Sequence, residues 1–222
     1  MYFLPAERLR LYRNFKSIEV NDFHRLIRFY EQNEDGIRAL EFEEYLDCTL
    51  CYTNALYEAG DHGKHLVMCD HLLELVIMHN VDHWGGEDIY HELLFKKSAS
   101  LYHKQAYSRS ERILREIIKI YPQDRLAAVY LNKALLRQRP VWLYRARAAT
   151  VAFALLAVVF IAMEIMAVTK FFPDLLLPMQ FAYILLIGLS LATLSIAEAT
   201  HASGCWFKTT HFVRWALKNK RK

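Results

Sequence analysis

Two long stretches that together hold a single charge constrain this chain more than anything else in it. Between Arg147 and Lys170 lie 22 residues, and Glu164 is their sole charged member. As a helix they reach about 33 Å, which matches a hydrocarbon core of about 30 Å. A second run, Leu175 to Ala197, is of similar length and carries no charge. Two such helices in succession do not suit the core of a soluble domain. They predict a transmembrane hairpin over 141–198, with spans at about 148–169 and 175–197. The link Lys170-Phe-Phe-Pro-Asp174 supplies turn formers and interfacial aromatics. The lipid bilayer is therefore the first expected partner.

Charge assigns the orientation. Residues 1–140 hold 19 Lys/Arg against 21 Asp/Glu, whereas 141–222 hold 9 against 3. Arg145 and Arg147 precede the first span, and Lys218, Lys220, Arg221 and Lys222 follow the second. The connecting link holds Lys170 alone. By the positive-inside rule both chain ends lie in the cytoplasm of a multi-pass protein of the cell (inner or plasma) membrane. Since the basic excess belongs to the membrane third, nucleic acid is not an expected partner.

Within the spans, Glu164 stands out, because an ionised carboxylate in lipid is costly. Gln180 or a serine of the second span is its expected hydrogen-bond partner. The functional alternatives are a polar contact between copies and the lining of a water-filled path. Gly188 and Ala192 form a small-xxx-small pair that lets helices approach closely, consistent with homo-oligomerisation through the spans. Residues 199–222 read as a basic amphipathic cytosolic tail. Its apolar side comes from Phe212, Val213, Trp215, Ala216 and Leu217, and anionic lipid attracts it to the inner leaflet.

Residues 1–140 read as a cytosolic domain of amphipathic helices throughout. Val20, Phe23, Leu26, Ile27 and Tyr30 make one apolar stripe behind a cap at Asn21. Leu46, Leu50, Ala55 and Leu56 make a second. Leu66, Leu72, Leu73, Val76 and Ile77 make a third, capped by Asp61. Residues 82–88 read as a loop. Ser108 with Glu111 forms a capping box ahead of Ile113, Leu114, Ile117, Ile118 and Tyr121, and Pro122 ends that helix. A last helix runs from Asp124 to about Gln138.

Two helix-turn-helix units emerge, 46–79 turning at Gly60-Asp61 and 91–122 turning near Gln105-Ala106. Each has roughly the length of a tetratricopeptide unit. In the second, Ser98, Tyr107, Ser110, Leu114 and Pro122 fall on that family's small, aromatic, small, large apolar and closing proline positions. Lys97 and Ile117 depart from its pattern. In the first, Gly60 matches the turn glycine and His65 replaces a small residue. Over residues 46–136 the chain thus resembles tetratricopeptide repeats. The resemblance implies stacked antiparallel helical hairpins with a concave groove for a cytosolic protein or peptide partner. The expected fold class is all-α, tetratricopeptide-like hairpins followed by the transmembrane hairpin.

Catalytic patterns are missing from the sequence. Gly60-Asp-His-Gly-Lys-His65 fails as a phosphate loop, because Glu58 stands at its leading glycine position and His65 at the closing Ser/Thr. There is no Gly-x-Ser-x-Gly elbow. No arginine stands five to seven residues ahead of a histidine, the spacing of HEPN-type ribonucleases. Cys48-x-x-Cys51 is half of a metal site, and nothing in the sequence completes it. His62/His65 and His79/His83 have helix-face spacing, but solvated or half-buried histidines account for them. The expectation is a non-enzymatic protein without catalytic residues or cofactor, whose helical domain binds a protein partner or sensor at the membrane. The alternative is a membrane-disrupting or pore-forming effector held inactive by its soluble domain. In architecture alone, that alternative is similar to two-span toxins of bacterial antiphage systems of the retron or CRISPR accessory type.

Overall fold

The computed structural model describes residues 5–168 and 173–220. It is helical almost throughout, and it separates by its contacts into two compact units, Met1–Ala134 and Leu135–Lys222.

The first unit opens with α1 (Pro5–Lys16), α2 (Phe23–Gln32) and α3 (Glu34–Arg38), followed by α4 (Phe42–Glu58) and α5 (His62–Met78). A two-residue pair of strands comes next, β1 (His83–Trp84) and β2 (Glu87–Asp88), paired antiparallel. Then come α6 (Ile89–His103), α7 (Tyr107–Ile120) and α8 (Arg125–Arg137), the last of which crosses the division between the units. Residues 82–88 thus hold a small hairpin instead of a plain loop. Gly85 and Gly86 both have positive φ, 61° and 88°, the backbone sense that two-residue hairpin turns require.

Helix starts follow local chemistry. Asp61 accepts from the Lys64 amide at 3.1 Å and caps α5 as its sequence position predicts. For α2 the cap is Asp22, not Asn21: its carboxylate accepts from the Arg25 amide at 3.2 Å. Val20 consequently precedes the helix and is 81% exposed, so it leaves the apolar stripe to Leu26 and Tyr30. Ile77 departs too, on the solvent side of α5. The capping box at Ser108 does not form. Gln105 takes φ +60°, so α7 already begins at Tyr107 and Ser108 lies within its first turn.

Packing joins α2 to α4, α4 to α5, α5 to α6 and α6 to α7. Phe15, Ile18, Leu26, Tyr30, Ile37 and Leu56 belong to the apolar core around α1, α2 and α4. Tyr30 and Tyr52 stack at 4.0 Å across α2 and α4. Between α6 and α7, Ser110 donates to the Ser98 carbonyl at 2.8 Å. Both serines are buried, because larger side chains there would push the two backbones apart.

In the second unit, α9 (Val141–Met163) continues into a π-helical turn at Glu164–Val168. A 3-10 turn at Pro173–Leu175 leads into α10 (Leu176–Lys220), 45 residues long. α9 and α10 are each long and apolar enough to cross a membrane. Lys170, Phe171 and Phe172 of the expected link lie outside the described residues. Residues 199–220 form no separate tail element: α10 runs through them without a break.

Candidate functional site

The α9–α10 pair turns the usual distribution of side chains inside out. Its polar groups meet one another. The Arg147 guanidinium donates to the Glu198 carboxylate at 2.9 Å. Thr150 and Thr193 hydroxyls lie 3.1 Å apart, and Ser190 donates to the Thr150 carbonyl at 3.1 Å. Farther along, Gln180 donates to Glu164 at 3.1 Å. Trp142 and His201 bring their rings to 6.2 Å. As the first residue number of these pairs rises, the second falls, so the two helices run antiparallel. Ala157, between the Thr150 and Glu164 levels, is buried as well.

The apolar groups point the other way. Val151, Leu155, Val158, Leu177, Phe181, Ile184 and Leu191 are exposed, Phe181 by 70%. In each helix only 6% of the most apolar 18-residue window is buried. Such a surface far exceeds what a water-soluble monomer exposes.

The structure places most of the residues that the sequence singles out in and beside the two apolar helices. Glu164 is 9% exposed and bonds Gln180, so those two do meet. Gly188 and Ala192 do not face α9. Both lie on the exposed side of α10, and a methyl group on Gly188 would meet nothing within 4 Å. Arg145 is exposed, Arg147 is paired to Glu198, and Lys218 and Lys220 sit in the last turn of α10. Arg221 and Lys222 lie outside the described residues.

Cys48 and Cys51 lie on α4, Cys48 fully buried. Burial pushes the Cys48 thiol up to about 12, helped by Asp47, and raises Cys51 in the same way. A metal would have to displace those thiol protons to bind the pair. Among the described residues no three His, Cys, Asp or Glu side chains converge as a metal site would require.

Several histidines of this unit join structural contacts. His71 bonds the Tyr45 hydroxyl at 2.7 Å, His91 bonds Asp124 at 2.8 Å, His79 lies against Phe42, and His62 stacks on His103 at 4.7 Å. His65 is wholly buried. Its Nδ1 lies 2.9 Å from the Ser100 hydroxyl and its Nε2 3.3 Å from the Cys69 sulfur. Burial, with a smaller push from His62, lowers its pKa to about 4.

Two cavities flank Lys96. One cavity of about 510 Å³ is lined by residues that include Ile18, Val20, Phe23, Asn54, Glu58 and Lys96. A second, of about 460 Å³, is lined by His91, Phe95, Lys96, Asp124 and their neighbours. Lys96 lines both and is fixed by hydrogen bonds to Asn54 at 2.8 Å and Glu92 at 2.5 Å. The Phe95 and Tyr130 rings meet edge-on at 5.2 Å. The Glu92–Lys96 spacing of four is visible in the sequence, but the approach of Asn54 from 42 residues away is not.

No family model, curated protein or solved structure matches this chain.

Proposed function

We propose that the chain is a non-enzymatic two-pass membrane protein whose helical domain binds a protein partner or sensor at the cytoplasmic face of the inner or plasma membrane. The observation that carries the membrane part is the inverted α9–α10 pair. Water would leave such an apolar exterior uncovered, whereas lipid tails solvate it. In lipid the polar side chains gain by turning to one another. The basic flanks at Arg145, Arg147, Lys218 and Lys220 support cytoplasmic placement of both ends. Retention of the full-length chain in membranes under alkaline carbonate tests insertion. A tag after Lys222, protected in intact cells and digested in inverted vesicles, tests orientation. Carbonate release, or a tag digested from outside, would reject this reading.

The partner-binding part is supported by the groove around Lys96, which combines apolar walls with fixed amide and ammonium groups. Such a lining suits an extended or helical protein segment. The buried Ser98–Ser110 contact is what tetratricopeptide-like stacking would need. A photo-crosslinking residue at Val20, on the groove rim, should give a discrete adduct with one protein in cells. Absence of any adduct there and at Leu126 would count against a partner in this groove.

A second reading, the membrane-disrupting or pore-forming effector, draws on Gly188 and Ala192. They lie on the outer side of α10, so their close-approach surface is open to another copy. Depolarisation and growth arrest on overexpression, lost in Gly188→Leu, would favour it. Harmless overexpression with an unchanged membrane potential, even alongside the trigger, would reject it.

A further inference from the structure

α10 is longer than a bilayer crossing needs. Its 45 residues extend about 67 Å, and the uncharged part up to Ala197 accounts for about 33 Å. The remainder continues past Glu198 as helix, and from residue 199 to 222 the sequence contains no Asp or Glu. Phe207, Lys208, His211, Arg214, Trp215 and Lys218 are all exposed on this part. Positions 207, 211, 214 and 218 share one face at helical spacing. Cys205, Thr209 and Ala216, on the opposite side, are buried. The open face is therefore basic and aromatic, and residues 199–222 supply it no carboxylate.

That combination matches an anionic lipid surface, where ammonium and guanidinium groups reach phosphates and the indole settles at headgroup depth. A straight helix carries Arg214 and Lys218 about 24–30 Å past Glu198, beyond side-chain reach of the headgroups. Ser203-Gly204 provides the place to bend. A Cβ on Gly204 would meet nothing within 4 Å, so no close neighbour requires the glycine. Its effect is on the stiffness of the helix, where Gly is less favourable than Ala. Just before it, Thr200 donates to the Ile196 and Ala197 carbonyls at 2.8 and 3.0 Å, and Ser203 to the Thr200 carbonyl at 3.2 Å. Such back-bonding bends helices, and kinks favour Gly/Ser pairs.

We propose that α10 hinges at Ser203-Gly204 and lays the face Phe207–His211–Arg214–Lys218 on anionic phospholipid of the leaflet it has just crossed. This rests on the bilayer reading of α9 and α10. The docked arm holds the cytoplasmic end of the helix pair against the membrane, and the charge of the leaflet sets the balance between docked and straight arms.

The test uses the full-length chain in proteoliposomes, with Trp84, Trp142 and Trp206 changed to Phe so that Trp215 reports alone. Trp215 emission should be quenched by brominated acyl chains in phosphatidylglycerol bilayers, but not in phosphatidylcholine bilayers. High salt should abolish the quenching. Replacing Lys208, Arg214 and Lys218 with Gln should shift the balance towards the straight arm by about a hundredfold. Gly204→Ala, which leaves every charge in place, should lower the docked-to-straight ratio about fivefold, read at a phosphatidylglycerol fraction that half-quenches Trp215 in the parent chain. Carbonate extraction of the same samples separates the two readings. A chain released by carbonate defeats the bilayer reading. A chain that stays inserted with Trp215 unquenched in phosphatidylglycerol overturns the docking. Equal quenching in Gly204→Ala overturns the hinge. Salt-sensitive binding of a single-stranded oligonucleotide, with Trp215 shielded from lipid bromine, would assign the face to nucleic acid and overturn the proposal.

Discussion

The amide of Gln180 donates to the carboxylate of Glu164 across 3.1 Å, from one apolar helix to the other. The bond ties a costly buried acid to a neutral donor at the end of the pair where α9 passes into its π-helical turn. In lipid an acid without a partner is expensive, so this contact links folding of the pair to the fate of one side chain.

A double-mutant cycle should resolve that link. Gln180→Leu and Glu164→Ala should each destabilise the helix pair, with a coupling of roughly 1 kcal/mol. Glu164→Gln should retain most of the stability, since an amide can still accept from Gln180. Reversible unfolding in mixed micelles titrated with SDS measures all four species.

His65 gives the first unit an acid-sensitive core. Its ordinary pKa of 6.5 falls to about 4 in the folded chain, chiefly through burial. The unfolded state therefore binds a proton first as pH falls. This contribution to stability is complete above pH 6.5 and declines towards pH 4, by about 2–3 kcal/mol in total. Chemical denaturation in detergent at pH 7.5, 6, 5 and 4 should follow that slope. His65→Leu should flatten it, even if stability at pH 7.5 also changes.

Burial at two neighbouring elements predicts opposite tolerances. Ile37 is wholly buried in α3, so Ile37→Ala should cost roughly 2–4 kcal/mol through lost contact and the cavity left behind. Val20, although apolar, stands in solvent, and Val20→Ala should change stability by less than about 0.5 kcal/mol. Denaturant midpoints of the two variants should differ accordingly.

The turn between α6 and α7 stores a small strain. Gln105 occupies φ +60°, a left-handed conformation that glycine adopts at less cost. Gln105→Gly should stabilise the chain by up to about 1 kcal/mol despite the greater freedom of the unfolded glycine. A modest rise in melting temperature would bear this out, and a fall would show that the side chain contributes more than its backbone costs.

The helices most legible in the sequence are those with local causes. An uncharged run marks α9 because lipid-sized helices tolerate few charges, and Asp61 marks the start of α5 because its side chain reaches an amide three residues on. Asn21 and Asp22 are adjacent and equally competent caps, so the pattern does not decide between them, and Val20 follows that choice. α3 spans five residues, too few for a period to appear. The contacts of the candidate sites are non-local. Ser100 comes to His65 from 35 residues away and Asn54 to Lys96 from 42, and neither approach leaves a trace in spacing. Glu164 and Gln180 are the exception, because a short link between antiparallel helices fixes their register. The unbroken course of α10 was hidden by its composition. Basic residues end a span, but they do not end a helix.

Ala157 buries a methyl group between the Thr150 and Glu164 levels of the α9–α10 seam. On α10 the flanking seam residues Gln180 and Ser190 are about 15 Å apart along the helix. The polar contacts of the seam are thus interrupted by an apolar one at Ala157. Under the effector reading, a leak that needs several copies should rise more steeply than linearly with the amount of protein in the membrane.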